Sequence, residues 1–223
     1  NMNLDIKAIG SSAGLTSGWS GVALQAINDV AFMRSIPNMT VLSPADCAEA
    51  IKMMEAMAKI NGPVYMRLCG TTAIPTVYAD DYNFEIGKAV TLQSGVKIAL
   101  IATGVTMVSE AMKTAKQLEE TIGIKCTVVN MHTIKPIDAE CITSLAENHD
   151  ILVTIEEHNT IGGLGSAVAE VVGRKKHNCR QVFIGINDTN FKMGSRQYML
   201  NQAGLTSERM FEKIAKEVGE LHD

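Results

Sequence analysis

The stretch AINDVAFMRSIPNMTVLSPADCAEAIKMMEAMAKINGPVYMRL, residues 26–68, decides the fold of the first part of this chain. Apolar residues recur in it at helical spacing on both sides of a short apolar run, and a second apolar run follows the turn at Gly62-Pro63. With the apolar run just before it, the stretch predicts strands at 6–9, 40–42 and 64–68 and helices at 23–36 and 47–60. Helices that alternate with short buried strands are typical of a parallel α/β unit.

The second of these helices has the clearer pattern. Asp46 precedes it and is predicted to cap its first turn. Cys47, Ile51, Met54 and Ala58 recur at helical spacing and are predicted to form its buried face. Three strands and two helices alone would leave a sheet edge and apolar surface uncovered, so we expect another element or chain to cover this unit.

Regular alternation of helices and strands returns from residue 96. Predicted strands lie at 96–102, 125–130, 151–155 and 181–186, and predicted helices lie at 109–122, 138–148, 163–172 and 207–221. The strand runs are almost continuously apolar, as strands are when helices cover both faces of their sheet. The pattern predicts a doubly wound, mainly parallel sheet. We therefore divide the chain into a first domain at 1–70, a crossover at 71–95 and a second domain at 96–223.

Composition argues against several classes of function. The 223 residues are 46% hydrophobic and 20% charged with a formal net charge of −4, which is typical of a globular protein and unlike a nucleic-acid-binding one. The five cysteines are an odd number without C-x-x-C spacing, so neither a disulfide framework nor a zinc site is indicated. No apolar run approaches the roughly 20 residues that span a bilayer, and we expect a cytoplasmic protein without membrane contacts.

Polar residues and glycines cluster after the strand at 151–155. Strand alternation places Glu156 and His158 on one side, where a carboxylate and an imidazole support acid–base chemistry, and a structural or interface role is the alternative. The turn IGGLG at 161–165 then opens a helix and suits either a phosphate cradle or close packing of helix on sheet. No histidine has the spacing of a metal ligand, so no metal site is predicted.

Arg67 lies at the end of the strand at 64–68. A guanidinium held there can bind a phosphate or a carboxylate through two parallel hydrogen bonds. It can equally form a structural salt bridge, and the residue pattern leaves both roles open.

Three motifs resemble those of the transketolases, which are thiamine-diphosphate enzymes that transfer two-carbon ketol units between sugars. They are FMRSIPNMTVLSPAD at 32–46, NGPVYMRL at 61–68 and EEHNTIGGLGSAVAE at 156–170, and the resemblance extends through LTSERMFEKIAKEV at 205–218. It implies an α/β fold in which the back half of a pyrimidine-binding domain of the thiamine-diphosphate fold precedes a transketolase C-terminal domain. Arg67 matches the family's arginine that holds the phosphate of the sugar substrate.

The resemblance also implies that parts of the active site lie outside this sequence. The glutamate that activates the cofactor, and the aromatic residues that stack on its ring, belong to the front half of the pyrimidine-binding domain. Thiamine diphosphate and its magnesium are held by the full assembly through a further domain. We therefore expect no catalytic residue in this chain and no cofactor bound to this chain alone.

The loop SSAGLTSGWSGVALQ at 11–25 matches a family stretch that carries two histidines and an acidic pair. Ser12 and Leu24 stand at the histidine positions, and Trp19-Ser20 stands at the acidic pair. Because the family residues contact sugar hydroxyls, Ser12 and Ser20 are candidate substrate contacts. Trp19 and Leu24 are candidates for a reshaped site or an interface.

Two classes of function follow from these observations. The first is the C-terminal part of a transketolase-like transferase that acts on sugar phosphates, needs an N-terminal subunit or domain, and forms a homodimer or heterotetramer. A deoxyxylulose-phosphate synthase is the alternative within this class, although Leu68-Cys69-Gly70 differs from the sequence that usually follows the strand arginine in that family. The second class is a non-catalytic assembly or regulatory paralogue, which the changed loop favours and Arg67 opposes.

Overall fold

The computed structural model describes residues 3–70, 74–189 and 192–219. A first unit contains β1 (Lys7–Gly10), α1 (Asp29–Ser35), β2 (Thr40–Leu42), α2 (Cys47–Met57) and β3 (Val64–Arg67). A second unit contains β4 (Val90–Gln93), β5 (Lys97–Ala102), α3 (Met107–Ile122), β6 (Thr127–Asn130), β7 (Thr133–Lys135), α4 (Ala139–Asn148), β8 (His149–Asn159), α5 (Leu164–Val172), β9 (Arg180–Ile186), α6 (Arg196–Gln202) and α7 (Ser207–Gly219). None of the helices within these ranges is long and apolar enough to cross a membrane.

The first unit forms a sheet with the strand order β1-β3-β2-β7. β3 pairs in parallel with both of its neighbours, and β7 of the second unit pairs with β2 in the antiparallel direction. The expectation that another element covers this unit is therefore met at the β2 edge. Among the described strands, none pairs with the outer edge of β1.

The second unit forms a five-stranded sheet with the order β4-β6-β5-β8-β9, in which only β4 is antiparallel to its neighbour. Alternate residues of β5 and β8 belong to two separate apolar clusters, one on each face of the sheet. Helices cover both faces, which explains the continuous apolar runs in the sequence. The predicted α/β fold with a doubly wound, mainly parallel sheet is confirmed.

The segment between the two units is fixed by a buried polar cluster. The Asp46 carboxylate accepts from the backbone N–H of Glu49, as the predicted N-cap of α2, and also from the N–H groups of Val77 (2.8 Å) and Tyr78 (2.9 Å). Glu49 is fully buried and accepts hydrogen bonds from Asn130 of the second unit at 2.9 and 3.0 Å. Asn130 also donates to the Tyr78 hydroxyl at 2.8 Å, so the crossover is held against both units.

The predicted buried face of α2 is wrong. Its four members, Cys47, Ile51, Met54 and Ala58, are all exposed. The helix instead buries Glu49, Met53 and Met57. The prediction failed because the face that contains Glu49 was taken to be exposed. The hydrogen bonds from Asn130 allow the Glu49 carboxylate to lie in the interior.

Other differences concern short or irregular segments. The first helix begins at Asp29 and not at residue 23, because two single-turn 3₁₀ helices at Gly18–Ser20 and Val22–Leu24 precede it and Gly21 adopts a left-handed φ of 85°. β4, β7 and α6 were not predicted, since each is only three to seven residues long and carries little periodicity. Residues 71–73 of the predicted crossover and 220–221 of the last predicted helix lie outside the described residues.

Candidate functional site

The candidate site lies at the carboxyl end of β8, where three ionisable residues are buried between the two units. Glu156, Glu157 and His158 are each at most 2% exposed. Glu156 and His158 share one side of the strand, as the sequence predicted, with Oε2 and Nδ1 3.7 Å apart. Glu157 makes its side-chain contacts elsewhere, with the loop at 11–16 and α6.

Glu156 occupies the glycine-rich turn. Its two carboxylate oxygens accept hydrogen bonds from the backbone N–H groups of Leu164 (2.7 Å) and Gly165 (2.8 Å) in the first turn of α5. The acidic group at this helix N-terminus is therefore a side chain of the protein itself. Burial raises the pKa of Glu156 to about 7, although the two backbone hydrogen bonds and the Arg67 and Arg34 guanidinium groups oppose the shift.

The close approach of Glu156 explains the glycine at position 163. A Cβ atom there would lie 2.0 Å from Glu156 Oε2 and 2.7 Å from His158 Nδ1. We expect Gly163→Ala to lower the free energy of unfolding by up to about 3 kcal/mol, because the buried side chains must move to admit the methyl group. Urea unfolding measures the loss, and Gly219→Ala, with no atom within 4 Å of its Cβ, is the control. Equal stability of the two variants would contradict the expectation.

His158 connects β8 to the first unit. Its Nδ1 lies 2.6 Å from the carbonyl oxygen of Asn159, and its Nε2 lies 3.4 Å from the backbone nitrogen of Ala31 in the first turn of α1. A neutral imidazole that donates from Nδ1 and accepts at Nε2 satisfies both groups. Burial, followed by the charge of Arg67, lowers the pKa of His158 and keeps the ring neutral. The imidazole therefore serves as a cap between the units in this structure.

Arg67 lies at the predicted strand end, but its side chain is only 3% exposed. Its Nε donates to Asp29 Oδ2 at 2.9 Å, and its Nη2 donates to the carbonyl oxygens of Ala26 (3.2 Å) and Glu157 (2.8 Å). Tyr65 also donates to Asp29 Oδ2, at 2.7 Å. Arg67 thus forms the salt bridge that the sequence left open, and the phosphate contact that the resemblance implies stays a prediction.

The four candidate residues of the loop at 11–25 differ in exposure. Ser12 is partly buried in a left-handed conformation with a φ of 58°, which is uncommon for a residue with a side chain. Trp19, Ser20 and Leu24 are exposed, with Trp19 the most open at 78%. Ser12 is therefore partly covered, and the other three residues lie on the surface. The structure does not group any of the four with Glu156 and His158.

Two members of the buried cluster were missed by sequence reasoning. Asp29 is the salt-bridge partner of Arg67, and Arg196 is the partner of Glu157. They lie 38 and 39 residues from their partners, and no spacing rule relates such pairs. A search for the charges that must neutralise buried Arg67 and Glu157 would have been the available signal.

The glycine-rich turn does not provide a site for a phosphorylated cofactor. Glu156 fills the glycine-rich turn, so this turn offers no cradle for a diphosphate. Within the described part of the chain, no three His, Cys, Asp or Glu side chains are grouped so that they could hold a metal ion.

Comparison with known proteins assigns this architecture. The model of the transketolase pyrimidine binding domain matches residues 1–71, and that of the transketolase C-terminal domain matches residues 87–210. The chain belongs to the transketolase family. The motifs at 32–46, 61–68 and 156–170 lie within these two matches, which confirms the resemblance seen in the sequence.

Relatives within the transketolase family include separate subunits. A protein of Methanocaldococcus jannaschii that is named for a transketolase C-terminal section is 38% identical over 96% of this chain and 67% of its own length. The 6-deoxy-6-sulfo-D-fructose transketolase subunit of Clostridium sp. strain MSTE9 is 36% identical over 97% of the chain and 66% of its own length. A solved structure described as a split gene transketolase, inactive β4 tetramer, superimposes with a TM-score of 0.85 at 38% identity over 94% of this chain and 66% of that one. The chain thus spans about two thirds of the length of these relatives.

Proposed function

We propose that this chain is the C-terminal part of a transketolase-type transferase that moves a two-carbon ketol unit between sugar phosphates together with an N-terminal subunit or domain. The observation that carries the proposal is the match, over 94% of the chain, to a protein described as a split gene transketolase. That β4 assembly is described as inactive, which supports our expectation that this chain needs a partner for activity.

The surface around β1 supports a partner for the first unit. Leu4, Ile6 and Ile9 are each at least half exposed on or just before this strand, whose outer edge has no partner among the described strands. An apolar groove of about 250 Å³ is lined by Leu4 and Ile6 together with Ile36, Pro37 and Pro63. An unpaired edge next to apolar side chains is suited to a further strand and its covering helix.

The proposal assigns separate roles to the partner and to this chain. The partner supplies the magnesium and diphosphate contacts and the cofactor-activating glutamate, and thiamine diphosphate supplies the carbanion chemistry when bound. In this chain, Arg67 and the hydroxyl groups of Ser12 and Ser20 contact the sugar phosphate, and Trp19 and Leu24 form the adjoining surface. Arg67 Nη1 is the donor for the phosphate, since no described group makes a hydrogen bond to it.

The alternative is a non-catalytic assembly subunit, and the exposure of Trp19 and Leu24 is the observation that favours it. Exposed apolar side chains that lie next to each other are typical of a docking surface, and Trp19 and Leu24 lie on consecutive 3₁₀ helices. Both candidates predict binding to a partner. Only the transferase predicts that the complex transfers two-carbon units.

Reconstitution separates the two candidates. We expect two-carbon transfer between a ketose phosphate and an aldose phosphate only when this chain is mixed with an N-terminal subunit, thiamine diphosphate and Mg²⁺. A stable complex without transfer would overturn the transferase and leave the assembly subunit. Ile9→Asp, at a site 50% exposed within β1, should abolish complex formation in light scattering, whereas Val96→Asp, at a site 62% exposed in the second unit, should leave it unchanged.

A further inference from the structure

One buried ion pair of the second unit reaches the loop at 11–16. The side chain of Glu157 is 1% exposed and lies between the units. Its Oε1 accepts a hydrogen bond from the backbone N–H of Leu15 at 2.7 Å, and its Oε2 accepts one from Arg196 Nη2. Arg196 Nη2 also lies 3.3 Å from Thr106 Oγ1, so the guanidinium is fixed within the second unit.

The loop depends on this carboxylate for one of three successive backbone contacts. The N–H of Ala13 donates to Leu68 O at 3.0 Å, and the N–H of Gly14 donates to Ala26 O at 2.9 Å. Both acceptors belong to the first unit, whereas the next N–H, that of Leu15, is held by Glu157. A Cβ atom on Gly14 would lie 2.5 Å from Glu157 Oε1, so the loop passes in direct contact with the carboxylate.

The backbone of Glu157 holds a second element of the proposed substrate site. Its carbonyl oxygen accepts from Arg67 Nη2 at 2.8 Å, and the same nitrogen donates to Ala26 O. Ala26 O is also the acceptor for Gly14 N. The loop and Arg67 therefore share Ala26 as an acceptor in the first unit and Glu157 in the second.

We propose that Glu157 and Arg196 are a positioning pair, through which the second unit fixes the loop at 11–16 relative to Arg67. Arg196 holds the carboxylate of Glu157 in place, and the carboxylate holds the N–H of Leu15. The loop backbone around Ser12, which has a left-handed φ of 58°, is thereby kept in a single conformation. Neither residue needs to contact substrate or cofactor for this role.

The consequence for substrate binding rests on the proposed function. If Ser12 and Arg67 contact the sugar phosphate, loss of the pair loosens one contact relative to the other and weakens binding of the substrate and of the transition state equally. We then expect Arg196→Ala to raise KM for the phosphorylated substrate about tenfold in the reconstituted enzyme while kcat stays within about twofold. A residue that only stabilised the fold would lower the amount of active enzyme and leave KM unchanged.

Amide hydrogen exchange tests the positioning pair in a measurement that does not require enzyme activity. We expect Arg196→Ala in the full chain to speed exchange at residues 13–16 about tenfold or more, since the Leu15 N–H loses its fixed acceptor. Arg196→Lys, which keeps the charge but not the geometry of the guanidinium, should fall between this variant and the unchanged protein. Arg209→Ala is the matched control, because it removes an arginine from an exposed pair with Glu212.

The results separate the failure of this inference from the failure of the proposed function. Unchanged exchange at residues 13–16 in a folded Arg196→Ala chain would overturn the positioning pair, whatever the assay shows. If Arg196→Ala does not fold, Arg196→Met, which keeps much of the side-chain volume but removes the guanidinium, replaces it with the same criterion. Faster exchange with an unchanged KM would overturn the link to substrate, and a reconstituted complex without transfer would overturn only the proposed function.

Discussion

Replacing Arg67 with methionine is expected to lower the free energy of unfolding by about 3–5 kcal/mol, because it removes one partner of a buried ion pair. Asp29 would lose the cation that pairs with it and would have little access to water, since its side chain is only 11% exposed. Its Oδ1 atom already has no hydrogen-bond partner among the described residues. The carbonyl oxygens of Ala26 and Glu157 would also lose the Nη2 donor that they share.

Urea unfolding of matched variants checks the Arg67 prediction. Arg209→Met removes an arginine that is 51% exposed in its pair with Glu212, and we expect it to cost about 1 kcal/mol or less. Adding Asp29→Asn to Arg67→Met should recover part of the loss, because it removes the charge left without a partner. A cost for Arg67→Met no larger than that for Arg209→Met would contradict a structural role for the salt bridge.

The size of this effect changes how Arg67 can be tested in catalysis. A loss of activity in Arg67→Ala would follow from an unfolded chain as readily as from a lost phosphate contact. Arg67→Lys, assayed at a temperature where its folded fraction matches that of the unchanged protein, separates the two. A phosphate contact predicts a raised KM for phosphorylated substrates in folded enzyme, whereas a purely structural arginine predicts an unchanged KM.

The sequence predicted the second unit better than the first for a physical reason. In β5 and β8, helices cover both faces of the sheet, so the strands carry continuous apolar runs that mark them clearly. In α2, by contrast, the buried face includes Glu49. Its carboxylate is hydrogen-bonded by Asn130, which lies 81 residues further along the chain. Local periodicity contains no information about such a distant partner, so the predicted face was the exposed one.

The candidate site shows the same limit. Strand alternation placed Glu156 and His158 on one side of β8, and they lie there. Their contacts could not be predicted, because each residue caps a different helix, α5 for Glu156 and α1 for His158. The glycine-rich turn likewise fits an acidic group, but only the structure shows that the Glu156 carboxyl group occupies it.

Single substitutions of the buried residues Glu156 and His158 should change the pH dependence of folding stability in opposite directions. The pKa of Glu156 is raised to about 7, so its contribution to stability is complete below the unfolded value near 4.5 and is lost as pH rises through 7. The pKa of His158 is lowered, so its contribution is complete above the unfolded value near 6.5 and is lost as pH falls. The pH ranges over which the two contributions change overlap. In the unchanged protein, the two contributions therefore change stability in opposite directions as pH varies.

Glu156→Gln should therefore gain stability relative to the unchanged protein as pH rises from 4.5 to 7, by about 3 kcal/mol for a shift of this size. His158→Gln should gain relative stability in the opposite direction, as pH falls below 6.5. Denaturant unfolding at half-unit pH intervals measures both differences, and Lys116→Gln, on the exposed surface of α3, controls for the change of one charge. Parallel curves for the unchanged protein and Glu156→Gln would show that folding does not raise the pKa of Glu156, which would then be ionised over most of the range. Glu156 would then act as a permanent anionic cap of α5, stabilised by the two backbone donors and the nearby Arg67 and Arg34 charges more strongly than burial opposes its ionisation.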